Sequence, residues 1–265
     1  MSGAAIVTTT AGDAVTPTTA RHRVVWLWPG QAAYFGPSFH LDTHSAAVHT
    51  LAIGIDAAFT ITMSRGPARR LRSVLIPART PHRIEGNGRM LFFYLDADSG
   101  CIESVRSAMR DRSTSAPAEH GATAKLIGYL TGPDRPDPAE IRRIVLGDRA
   151  SSPIDHRIRR TMETLLADPG GAPAATSAAA TAGLSESRFL HIFTAQSGTS
   201  YRRYRLWARL LYVGSAVAEG KDLTTAAADA GFASASHFSD TFRALFGLTA
   251  TAVLSQGTEI ITMTR

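Results

Sequence analysis

AGLSESRFLHIFTAQSGTS, residues 182–200, and AGFASASHFSDTFRALFGLT, residues 230–249, are two copies of one pattern. Phe189 aligns with Phe238, Phe193 with Phe242 and Gly198 with Gly247, each at a separation of 49, whereas Ala182-Gly183 aligns with Ala230-Gly231 at 48. The copies therefore differ by one residue in the turn. Each has the grammar of a helix-turn-helix: an Ala-rich segment, TSAAATAG or TTAAADAG, ends at a glycine that can turn with φ > 0 free of a Cβ clash. Ser185 and Ser234 then offer side-chain oxygens to the unpaired N–H groups of a second helix. The paired phenylalanines, spaced i, i+4, put both rings on one face and leave the other for outside contacts. A single copy reads equally well as an ordinary amphipathic hairpin, but two copies in register do not.

On these residues, the span 153–254 resembles the DNA-binding domain of the AraC/XylS family of bacterial transcription regulators. The resemblance implies two helix-turn-helix units joined by one long helix, a place filled here by YRRYRLWARLLYVGSAV, residues 201–217. Recognition helices over about 186–196 and 235–246 would enter successive major grooves, where base edges present distinguishable donor and acceptor patterns. By position in the motif, Ser187, Leu190, His191, Ser236, Ser239 and Asp240 face the bases. Leu190 suits a thymine methyl, His191 a guanine acceptor and Asp240 the cytosine amino group, while short serines suit contacts through water or to phosphate. Arg188, Arg202, Arg203, Arg205, Arg209 and Arg243 are the candidate backbone contacts, and Arg157, Arg159 and Arg160 form a further cluster. Three positions depart from the family pattern: Tyr201 stands where a proline is usual, a second usual proline is replaced near Ala250, and Leu254 replaces a frequent arginine.

Length and composition set the frame around this domain. At 265 residues with 44% apolar content, the chain fits a two-domain globular protein. One cysteine, Cys101, excludes an intramolecular disulfide and any multi-cysteine zinc site. Residues 1–20 lack a signal-peptide pattern and read as a disordered tail, no segment is apolar enough to span a membrane, and a cytoplasmic location is expected. The net charge of +6 is not concentrated in the DNA-binding half, where residues 151–265 hold 11 Lys+Arg against 9 Asp+Glu. Placed arginine clusters, rather than total charge, therefore carry the expectation of duplex DNA as partner.

Residues 21–98 change to strand-like runs (VVWLW, AVHTLAIGI, AFTITM, SVLIP and MLFFYLD) at roughly ten-residue intervals, as in a small barrel or sandwich. The family resemblance makes this a cupin-like β-barrel sensor, so the expected fold class is α+β in two domains. His49 shares parity with Leu51, Ile53 and Ile55, which points it to the expected barrel interior. With His82, Phe35, Phe39 and Tyr94 it makes the candidate set for a small-molecule effector. His44, His49 and His82 are the weaker metal candidates, because the spacing His40-x3-His44-x4-His49, with no glutamate before Glu85, departs from the metal-binding cupin pattern. No cofactor is expected.

Residues 99–150 read as a helical connector. Its last segment carries an Ile141, Ile144, Val145 stripe suited either to a homodimer interface or to the protein's own barrel. The DNA-binding domain is expected over 151–256 and a C-terminal tail over 257–265. No phosphate loop, nucleophile elbow or paired-carboxylate motif is present, so the chain reads as a ligand-modulated regulator with RNA polymerase as a further partner, not an enzyme. A metal-dependent cupin enzyme with a helical appendage and a ligand-independent dimeric regulator are the alternatives.

Overall fold

A computed structural model describes residues 23–64, 66–95, 100–147, 154–255 and 257–263. The expected tail over 1–20 lies outside the described residues. The N-terminal half is built on β1 (Val24–Trp28), β2 (Gln31–Pro37), β3 (Thr50–Gly54), β4 (Phe59–Met63), β5 (Arg69–Leu71), β6 (Ser73–Ile76), β7 (His82–Glu85) and β8 (Arg89–Tyr94). These strands lie in two sheets. With β9 (Met109–Asp111), β10 (Ala118–His120) and β11 (Glu259–Thr262), the larger has the order β11-β1-β2-β8-β3-β6-β10-β9, and the smaller is β5-β4-β7.

Both faces of the larger sheet are covered. Between the sheets, Ala52, Val74, Ile76, Met90 and Phe92 meet Phe59, Ile61 and Ile84. On the other face, Trp26, Phe35, Leu51, Ile53, Leu75, Leu91 and Phe93 are covered by α1 (Gly100–Ala108), α2 (Thr123–Leu130) and α3 (Pro138–Leu146). Burial on both sides is why TLAIG and RMLFFY read as nearly continuous apolar runs. It also corrects the histidine parity argument, because the Leu51–Ile53 face is the helix-covered one and not the space between the sheets.

The connector is not purely helical, since β9 and β10 extend the large sheet beyond β6. The Ile141, Ile144 and Val145 stripe of α3 is buried in the protein's own core, which removes it as a dimer surface.

The C-terminal half is α4 (His156–Ala167), α5 (Ala175–Thr181), α6 (Glu186–Ser197), α7 (Tyr201–Ala218), α8 (Leu223–Asp229), α9 (Ala235–Phe246) and α10 (Ala250–Leu254). Ser185 and Ser234 cap α6 and α9 by accepting from Arg188 N–H and His237 N–H. Both helices end at a left-handed glycine, Gly198 at φ 68° and Gly247 at φ 76°, where a Cβ would be strained. The expected C-terminal tail is a correction: Glu259–Thr262 form β11, which pairs in parallel with β1 from Val24↔Glu259 to Leu27↔Thr262. The run TEIITM carries the β-branched signal for that strand. Chain order thus ties the end of the helical half back into the sheet of the first.

Candidate nucleic-acid interface

Helix α6 buries Phe189, Phe193 and Ser197 and leaves Ser187, Arg188 and His191 exposed, with Leu190 half-buried against the core. The helix α9 repeats this division: Phe238 and Leu245 are buried, while Ser236, Ser239, Asp240 and Arg243 are exposed. Five of the six predicted base-facing side chains are therefore open to solvent. Tyr201, standing in place of a proline, has a visible role. Its buried ring packs edge-on against Phe189 and Phe193, at centroid distances of 5.3 and 5.4 Å, and its hydroxyl donates to Pro173 O at 2.8 Å.

The arginines divide differently from the sequence expectation. Arg188 and Arg202 are exposed and available to phosphate. Three others are turned inward as structural donors: Arg203 to Ser45 O (2.9 Å), Ala46 O (3.2 Å) and Ser45 Oγ (3.0 Å), Arg205 to Ala172 O (2.9 Å) and Arg209 to Pro169 O (3.3 Å). Burial lowers the pKa of Arg203 and Arg209, with neighbouring arginines adding to it. These three are half-buried and committed in part to backbone carbonyls, which leaves Arg188 and Arg202 as the more open candidates for phosphate. Arg243 is exposed but paired with Asp42 at 3.0 Å, and Arg157 is paired with its own N-cap Asp155 at 2.6 Å.

The two halves meet along the loop over residues 42–49, which reaches the C-terminal cap of both recognition helices. At α9, Asp42 N–H donates to Gly247 O (2.9 Å) and Ser45 N–H to Ala244 O (3.1 Å), satisfying carbonyls that a helix end leaves unpaired. A Cβ on Gly247 would stand 2.7 Å from His44 Nδ1. At α6, a Cβ on Gly198 would collide with His49 Nε2. Each cap glycine is thus required twice, for its left-handed backbone and for the approach of a histidine. The linker helix α7 docks in the same way, with Trp207 Nε1–H donating to Gly30 O at 2.9 Å.

The predicted effector residues do not form one site. His49 sits at the α6 cap and accepts from Ala78 N–H at 3.3 Å, and burial, with Arg106 adding, pushes its pKa down to about 4. His82 pairs with His44 across an isolated bridge, the rings 4.3 Å apart, and its pKa is lowered to about 4 by burial first and by His44 second. Phe35 stacks on Trp26 under the covering helices. Among the metal candidates, His44 and His82 are neighbours, His49 stands apart, and the described residues hold no group of three or more His, Cys, Asp or Glu arranged for an ion. Of the five effector candidates, Phe39 and Tyr94 line an apolar cavity among the described residues. That cavity, of about 150 Å³, lies at the seam of the two halves, between Tyr34, Phe39 and Tyr94 of the barrel and Trp207, Phe242 and Phe246 of the helical half. Sequence reasoning missed the seam because half its wall comes from the helices already assigned to DNA. The i, i+4, i+8 spacing of Phe238, Phe242 and Phe246 was the available signal.

Residues 178–256 match a family profile described as a helix-turn-helix domain. No curated protein matches the chain. Among solved structures, ToxT from Vibrio cholerae O395 is 13% identical with a TM-score of 0.55, covering 86% of this chain and 98% of that one. An apo variant of ToxT from V. cholerae strain SCE256 is 12% identical with a TM-score of 0.57, covering 86% and 97%. Wild-type ToxT of that strain, bound to an unsaturated fatty acid, is 11% identical with a TM-score of 0.54, covering 85% and 94%. At these identities the likeness is one of fold, and it extends over both halves.

Proposed function

From a C-terminal helix-turn-helix domain of the AraC type, carried on a ToxT-like two-domain fold, we propose that the protein is a sequence-specific DNA-binding transcription regulator controlled by a small molecule. One observation carries the reading. Helix α9 presents Ser236, Ser239 and Asp240 to solvent on one side and Phe238, Phe242 and Phe246 to the seam cavity on the other. A molecule in that cavity touches the helix that reads the second groove, so its binding energy can differ between docked and released arrangements of α9. The fatty acid bound by ToxT supports a small-molecule effector on this fold.

In this reading His191 and Leu190 of α6 supply most of the base discrimination, Arg188 and Arg202 hold phosphates, and α9 positions the second contact. The protein acts in the cytoplasm without catalysing a reaction, as a homodimer on repeated sites, and influences transcription through RNA polymerase. The test is a binding titration against a selected duplex and its scrambled counterpart. The wild type should prefer the selected duplex, and His191→Ala should relax the preference at one base pair, worth about 1–3 kcal/mol. Equal affinity of the wild type for both duplexes overturns the proposal.

A further inference from the structure

We infer that the seam cavity takes an uncharged, mostly apolar molecule about the size of a single ring, bearing one hydroxyl or carbonyl group that bonds to Tyr94. This rests on the ligand-controlled reading above and names the class of ligand. Size is the first argument. The cavity measures about 150 Å³ and opens to the surface, and an apolar space of that volume holds a molecule such as benzene whole but only part of a long acyl chain.

Charge is the second. No Lys, Arg, His, Asp or Glu among the described residues lines the cavity. The cation Arg23 lies behind the wall, over the Phe39 ring at 5.8 Å, and is engaged by Tyr34, so a carboxylate placed in the cavity would lose its hydration without a counter-ion in direct contact. That separates this site chemically from one that takes a fatty acid, the ligand carried by the similar ToxT structure. The third argument is the accounting of polar atoms in the wall. Tyr34 Oη already donates to Pro37 O at 2.7 Å, and Trp207 Nε1–H already donates to Gly30 O at 2.9 Å. The Tyr94 hydroxyl has no hydrogen bond among the described residues, while its ring is held in place by Phe246, edge-on at 5.4 Å, and by Trp207 at 5.7 Å. A phenolic hydroxyl can both donate and accept, so one oxygen on the ligand completes it. Burial raises the Tyr94 pKa, which keeps that hydroxyl neutral.

Because Tyr94 comes from β8 and Phe246 from α9, such a molecule bridges the halves and holds α9 in its docked arrangement. The experiment is calorimetric titration of the full chain at pH 7 with 4-methylphenol, toluene, benzoate and oleate, run beside titrations with the selected DNA duplex. The expected result is binding of 4-methylphenol and toluene, with benzoate and oleate at least tenfold weaker than 4-methylphenol. Tyr94→Phe should cost 4-methylphenol about fivefold, the size of one hydrogen bond, and leave toluene unchanged. Absence of ring-compound binding, or tighter binding of benzoate or oleate, overturns the inference, and oleate that shifts duplex affinity does so while leaving the regulator reading in place. Conversely, 4-methylphenol that binds through Tyr94 without changing duplex affinity upholds the ligand class and overturns ligand control.

Discussion

The two helix-turn-helix units share a backbone plan and differ in what surrounds it. In the first, Phe189, Phe193 and Tyr201 are fully buried against one another in the core that both units share, and α6 reaches the barrel at its cap, through His49 and Gly198. In the second, α9 holds an ion pair to Asp42, two backbone bonds to the 42–45 loop and three aromatic rings at the cavity. Both units hold a turn glycine and a capping serine, because the backbone geometry demands them. The units differ on their inner faces, where Phe242 and Phe246 of α9 line the seam cavity, while both outer faces stay open to solvent.

Core substitutions should separate the units most strongly. Phe193→Ala empties a fully buried position and should cost about 3–5 kcal/mol in urea denaturation, whereas Phe242→Ala at the half-buried seam should cost less than half as much. Equal costs would mean that the seam holds Phe242 as tightly as the core holds Phe193.

Acid should act on the buried histidines next. His49 and His82 titrate near 4 when folded and near 6.5 when unfolded, because burial disfavours their charged form. The unfolded chain therefore takes up protons first, so stability is full above about pH 6.5, falls as pH drops toward 4 and levels off below it. The loss is on the order of 3 kcal/mol per histidine at most. Replacing His49 with Gln should flatten that slope, read as denaturation midpoint against pH.

Two neighbouring arginines give a subtler contrast. Arg202→Ala should weaken binding to all duplexes and reduce the salt slope by about 1, as loss of one phosphate contact does. Arg203→Ala should leave the salt slope unchanged and lower the melting temperature, since its guanidinium bonds the 45–46 loop. The smallest effect is expected for Asp42→Ala. That exposed ion pair with Arg243 contributes no more than about 1 kcal/mol, and its loss should show as faster hydrogen exchange at the C-terminal end of α9.

Much of this was legible in the sequence, for identifiable reasons. Turn glycines, capping serines and phenylalanines four apart encode local geometry, so the bounds of α6, α7 and α9 and the exposed Ser187, His191, Ser236, Ser239 and Asp240 could be read directly. Parity placed His49 with Leu51 and Ile53, but it does not say which face of a sheet buried on both sides encloses a site. Arginine direction was equally hidden, because Arg202 and Arg203 differ only in whether a distant backbone carbonyl lies within reach. The pairing of β11 with β1 joins the two ends of the chain, and no local pattern specifies that partner.

Selection of bound duplexes from a random DNA pool, using the full chain, bears most directly on the function. Two unlike recognition helices on one rigid linker should enrich a two-part site with its elements about one helical turn apart, 10–10.5 base pairs, and with sharper base preference in the element read by α6. A pool that remains without an enriched sequence while the protein is retained on DNA would contradict sequence-specific recognition.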